Sequence, residues 1–208
     1  MNARVSGKTR RTWLRFNAGD YVATKVLLGG SALASVLFGL GAPLWGAVNN
    51  VPLSVSYTTK VVSGIDVPRG ATFDGNATVE VLLKDATLGE RTVQALPGLL
   101  LAGLIVAVAW LLFQLLRDTQ AKEPFTMANV RRIYAIALAI LVGGLLAQYA
   151  QDVADNAIQL SDRLPDPSTL RFAFEGHALP AVVATVILLF GEAFHRGIEL
   201  RDDVEGLV

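Results

Sequence analysis

The sequence predicts a mainly α integral membrane protein with four transmembrane helices, both termini in the cytoplasm, and a small extracytoplasmic β module. Three observations carry this prediction. Four apolar runs, at 26–48, 96–116, 133–150 and 178–194, each approach the roughly 20 residues with which a helix crosses a bilayer. Between the first two runs, apolar and polar residues alternate at period two, the pattern of half-buried strands. Lys and Arg, finally, are distributed unevenly among the segments that join the runs.

Composition agrees with this class. Hydrophobic residues make up 52% of the 208 and charged residues only 17%, against roughly 25% charged in a soluble domain. The formal net charge is zero, so overall charge does not point to nucleic acid. The absence of Cys excludes disulfides, thiolate metal sites and a Cys nucleophile.

In chain order, residues 1–25 form a basic arm with Arg4, Lys8, Arg10, Arg11, Arg15 and Lys25, interleaved with Trp13, Phe16 and Tyr21. Basic groups seek anionic head groups and aromatic rings seek the interface, so its second half is expected along the membrane surface. Because the arm runs straight into a span, direct nucleic acid binding is not expected. In the span 26–48, Ser31, Ser35 and Gly39 recur every fourth residue, a spacing that lets another helix approach closely. The run is too long, and Trp45 too large, for a cleaved signal peptide.

Residues 49–95 are expected to form the β module. Val51, Leu53, Val55 and Tyr57 alternate with polar residues, as do Val79, Val81 and Leu83, with turns at Pro68-Arg69-Gly70 and Asp74-Gly75-Asn76. The span 96–116 is entered through Pro97-Gly98, in a first turn where the missing N–H of Pro has no bond to lose. The loop 117–132 carries four basic residues. In it, Pro124 blocks helix, Thr126 is a natural N-cap, and Phe125 and Val130 have the spacing of a hydrophobic staple, so a helix is expected from about Met127. Arg131 and Arg132 oppose the helix dipole there but suit phosphate head groups.

The span 133–150 carries a longer small-residue stripe, Ala135, Ala139, Gly143 and Ala147, expected to pack tightly on a neighbouring helix or on a second copy of the chain. The acidic segment 151–177 should begin as a continuation of that helix, through Val153, Ala157 and Ile158, and end with a strand at Leu170, Phe172 and Phe174. The last span, 178–194, leads into a charged tail at 195–208, with Glu192 and Arg196 paired at i, i+4.

Orientation follows from charge. The arm, the 117–132 loop and the tail hold twelve Lys and Arg residues, and the other two segments hold six. The basic segments belong in the cytoplasm.

Catalytic chemistry finds no foothold, and no enzyme activity or cofactor is expected. His177 and His195 fall at opposite membrane faces and cannot share a metal. Glu192-x-x-His195 is half of a di-iron carboxylate motif, but no span offers the facing carboxylates. At mid-depth the four spans hold no Asp, Glu, Lys or Arg, Glu192 lying near an end, which counts against an ion-coupled transporter.

Two stretches resemble a known family. Glu123-Pro124-Phe125-Thr126 with Asn129-Val130-Arg131-Arg132-Ile133, and Glu192-Ala193-Phe194-His195-Arg196-Gly197 with the closing Leu200–Val208, are similar to motifs of the short bacterial four-helix membrane proteins grouped as domain of unknown function 2975. The resemblance covers the second half of the chain and hardly touches the outer loop. Where members often have Pro-Glu, this chain has Met127-Ala128, which leaves the Thr126 cap intact. The resemblance implies four spans in a bacterial cell membrane and a partner, a small helix-turn-helix regulator encoded nearby. It supplies no catalytic residue.

Two functions are therefore expected. In the first, a membrane sensing or regulatory protein meets a signal through its outer module and holds a cytoplasmic partner through Phe125, Thr126, Asn129, Arg131 and Arg132, with Glu192, Arg196, Arg201, Asp202 and Asp203 opposite. In the second, a small carrier, channel or immunity-type protein has a pore lined by Ser31, Ser35, Gln114 and Gln148.

Overall fold

A computed structural model describes residues 17–60, 76–121, 125–159 and 178–205. Four helices dominate: α1 (Ala18–Val48), α2 (Leu88–Gln120), α3 (Met127–Gln159) and α4 (Ala178–Glu205). All four are long and apolar enough to cross a membrane. Strands β1 (Leu53–Lys60) and β2 (Asn76–Leu83) form an antiparallel two-stranded sheet between α1 and α2.

The helices outrun the apolar segments that announce them. At ~1.5 Å per residue, the 33-residue α2 and α3 extend for about 50 Å, well beyond ~30 Å of hydrocarbon. The starts of α1 and α2 are set by capping boxes. Asn17 accepts from the Asp20 N–H at 3.0 Å while the Asp20 carboxylate accepts from the Asn17 N–H at 2.8 Å. Thr87 and Glu90 repeat the device at the head of α2. Two expectations change as a result. Residues 18–25 are helical, continuous with the first span. Pro97 lies buried inside α2, not in its first turn. Its ring deprives the Val93 carbonyl of a helix bond, a loss that membrane helices tolerate where neighbouring helices compensate.

Within α1, Leu37–Gly41 form a single π-helical turn. The helix ends at Asn49, followed by Asn50 in the left-handed region at φ 49°. That turn lets the Val51 N–H reach the Gly46 carbonyl at 3.0 Å, a C-terminal closure for which Asn is well suited.

Packing among the described residues runs between successive helices: α1 on α2, α2 on α3, α3 on α4. The interior is rich in small side chains, with Ala102, Ala109, Ala137, Ala147 and Ala184 buried, alongside Val130, Ile133 and Ile136 of α3. Large apolar residues such as Leu27, Phe38, Leu138 and Phe190 face outward. This inverts a soluble protein and fits a lipid solvent, where close backbone approach rather than water exclusion drives helix association. Gly39 and Gly143 sit at such approaches. A Cβ on Gly39 would stand 2.8 Å from Ala102 Cβ, and one on Gly143 would stand 2.9 Å from Leu104 Cδ1. The other predicted packing residues divide. Ala135 and Ala139 are half-buried and Ala147 is buried, whereas Ser31 is exposed on α1.

The hairpin register pairs Leu53 with Leu83, Val55 with Val81 and Tyr57 with Val79, as the alternation predicts. Its inner face does not stand alone. Val55 and Leu83 are buried together with Ile158, contributed by the extension of α3 beyond its apolar run. The expected turns at 68–70 and 74–75 and the strand at 170–174 lie outside the described residues.

Candidate functional site

The loop that joins α2 to α3 starts a belt of polar contacts across one end of the bundle. Thr126 caps α3: its hydroxyl oxygen accepts from the Asn129 N–H at 3.3 Å, and its carbonyl accepts from Asn129 and Val130 at 3.0 and 3.2 Å. The cap fixes Asn129, which is fully buried, with its side-chain oxygen accepting from Arg132 Nη1 at 2.6 Å. The same guanidinium pairs with the Asp118 carboxylate in the last turns of α2. Arg132 Nη1 is therefore engaged at the α2–α3 junction, while Arg131 beside it is exposed.

The belt continues to both outer helices. Tyr134 donates to Glu192 Oε2 on α4 at 3.4 Å, and Glu192 Oε1 accepts from Arg196 at 2.9 Å. Tyr134 fits because Gly191 leaves room; a Cβ there would stand 2.9 Å from the Tyr134 ring. On the other side, Lys25 of α1 donates to the Gln120 side chain at 2.8 Å and lies 5.8 Å from the centroid of the Phe113 ring. Phe125 reaches α4, its ring 5.4 Å from that of Phe194. His195 pairs with Glu199 at 3.3 Å, one turn on. The backbone carries Arg201, Asp202 and Asp203 on through the last turns of α4, with Arg201 and Asp203 exposed.

The structure thus joins Phe125, Thr126, Asn129 and Arg132 with Glu192 and Arg196 at one end of the molecule. It adds Asp118, Tyr134, Lys25 and Gln120, which the sequence reading missed. The i, i+3 spacing of Thr126, Asn129 and Arg132 was a readable signal, because it sets all three on one helix face. No local spacing links Asp118 to Arg132 or Tyr134 to Glu192; those pairs exist only once the helices pack.

The opposite end has its own polar contacts. Asp155 Oδ1 accepts from Gln94 of α2 and from Gln151 of α3, both at 3.2 Å. Below it, a groove of about 500 Å³ opens between α2, α3 and α4, walled by Leu101, Leu104, Ile140, Leu179 and Val183, with Gln148 among its few polar lining groups. The predicted pore residues do not converge on it. Ser31 and Ser35 donate to carbonyls of their own helix, Leu28 O at 3.0 Å and Ala32 O at 2.8 Å, and α1 does not line the groove.

Among the described residues, no group of three or more His, Asp and Glu side chains is placed to hold a metal. No curated protein and no solved structure matches the chain. The model of DUF2975, a family described as protein of unknown function, matches residues 58–208, the larger part of the sequence, and this chain belongs to that family.

Proposed function

We propose that this protein is a non-catalytic regulator in a bacterial cell membrane, with both termini cytoplasmic, that relays the state of its outer hairpin to a cytoplasmic partner. One observation carries the reading: a single unbroken helix, α3, joins both ends of the molecule. At one end Ile158 completes the hairpin core. At the other, Thr126, Asn129 and Arg132 anchor the polar belt that reaches α2 and, through Tyr134, α4. A helix of this kind transmits a shift or rotation along its length because its backbone bonds resist bending. The excess of Lys and Arg at the belt end supports a cytoplasmic position for that end. The exposed Arg131, Arg201 and Asp203 offer a mixed-charge surface for a small helix-turn-helix regulator.

Tagged protein solubilised in mild detergent should co-purify with such a regulator when both are expressed. Arg131→Glu should weaken recovery without lowering the amount of membrane protein. Recovery of no DNA-binding protein, together with unchanged transcription of neighbouring genes on deletion, would overturn the reading. The groove between α2, α3 and α4 favours a second reading, a small carrier for an apolar molecule, which predicts that a bulky residue at Gly144 abolishes transport but not partner recovery.

A further inference from the structure

Arg91 opens a question that neither the belt nor the partner touches. It sits in the first turns of α2, about 7 Å along the helix before Leu96, where the apolar run begins, and therefore at head-group depth. Two of its nitrogens have a structural task. Nη1 donates to the Gly46 carbonyl at 2.9 Å and Nε to the Ala86 carbonyl at 3.3 Å, so the cation closes the C-terminal end of α1. Its third nitrogen, Nη2, is shielded from solvent and has no hydrogen-bond partner among the described residues. The amide oxygen of Gln94, one turn on, is likewise shielded and unpartnered.

Both residues line one cavity of about 310 Å³ between α1, the entry to β1 and α2. The rest of its wall is mostly apolar, with Phe38, Pro43 and Leu53 prominent and no acidic side chain among the described residues. Phe38, 76% exposed, belongs to the outward surface of α1, so the cavity borders the side that faces lipid. The π-helical turn at Leu37–Gly41 contributes Phe38 and Gly39 to the wall, and such turns recur at functional sites.

We propose that this cavity binds the head group and first acyl carbons of an anionic lipid. Nη2, buried and unpartnered among the described residues, is the donor that a phosphate oxygen takes when the head group displaces the side chains shielding it, a pairing that the planar guanidinium favours. The Gln94 oxygen accepts from a hydroxyl, which selects a hydroxyl-bearing phosphodiester such as a phosphatidylglycerol. The lack of an acidic group in the wall leaves the ammonium of a zwitterionic lipid without a partner. The apolar side chains take up the chain. The site is independent of the cytoplasmic partner.

Native mass spectrometry of the detergent-purified full chain, given equal phosphatidylglycerol and phosphatidylcholine, tests the site. Wild-type protein should carry the anionic lipid with about a 10-fold preference, because both lipids bring a phosphate but only phosphatidylglycerol adds a net negative charge beside Arg91 and a hydroxyl for Gln94. Arg91→Gln should reduce the preference by removing the charge, whereas Arg91→Lys, which keeps the charge and loses the fork, should retain most of it while lowering the adducts of both lipids. Ala42→Leu adds volume at the cavity wall and leaves the Arg91–Gly46 bond in place, so it should lose the adduct even if Arg91→Gln fails to fold. Arg117→Gln, an exposed position at the other end, should leave the preference unchanged. Equal adducts of the two lipids on wild-type protein, or an undiminished preference in both Ala42→Leu and Arg91→Gln, would overturn the proposal. Displacement of the lipid by glycerol phosphate at matched concentration would also overturn it, by assigning the site to a soluble phosphate.

Discussion

Replacing Gly39 with Ala tests whether backbone contact holds α1 to the rest of the bundle. The new Cβ would stand 2.8 Å from Ala102 Cβ and 3.1 Å from the Gly98 carbonyl oxygen. Neither atom can rotate aside, because one is backbone and the other is bonded directly to it. Ordinary carbon contact is ~3.5–4.0 Å, so α1 and α2 must part by about 1 Å at the crossing. A gap of that size forfeits roughly a quarter to a half of the dispersion attraction at each contact, and forced overpacking costs about 1–3 kcal/mol. Ala also gains about 1 kcal/mol of helix propensity over Gly. Gly30→Ala, on the same helix, collects that gain without a clash, since nothing lies within 4 Å of its Cβ. The difference between the two variants isolates the steric cost: Gly39→Ala should be less stable than Gly30→Ala by about 1–3 kcal/mol. Reversible denaturation in mixed micelles, followed by the fluorescence of Trp45 and Trp110, measures that difference. Equal midpoints for the two variants would refute the reasoning.

Thr126→Ala should cost about 1 kcal/mol by removing the cap of α3, and Thr126→Ser should restore most of it; equal stability of Ala and Ser would show that the hydroxyl is idle. A double-mutant cycle on Asp118 and Arg132 should give a favourable coupling of about 1 kcal/mol or less, because both side chains remain partly exposed, at 31% and 24%. Ile158→Ala should cost about 2–4 kcal/mol and speed hydrogen exchange in β1 and β2 while leaving α4 unchanged; unaltered exchange in the strands would mean that α3 does not hold the hairpin. Because the chain lacks Cys, single cysteines report its orientation cleanly. Ser54→Cys should react with an impermeant thiol reagent on intact cells and Ala121→Cys only after permeabilisation, and the reverse pattern would invert the proposed topology.

Much of the architecture was legible in the sequence because it is written locally. Apolar runs long enough for a bilayer, a period-two alternation and a Thr cap after a Pro each depend on residues within a few positions of one another. For the same reason the strands β1 and β2, the start of α3 at Met127 and the Glu192–Arg196 pair agree with it. The helix starts at Ala18 and Leu88 were also local, encoded in Asn17-x-x-Asp20 and Thr87-x-x-Glu90, but polar residues between cap and apolar run masked them.

What the sequence alone determined is the class of molecule: four helices suited to lipid, a two-stranded hairpin, and a capped, stiff α3. Tertiary structure decided which polar groups meet. Phe125 pairs with Phe194, Arg132 with Asp118, Tyr134 with Glu192 and Gln94 with Asp155, and each of these joins different helices. Likewise, of the three small residues spaced along α1, packing selects Gly39 for the crossing and leaves Ser31 exposed. The physical reason is common to all of them. A helix fixes the direction of its side chains by period, but which direction faces a neighbour depends on crossing points and rotations that only packing of whole helices defines.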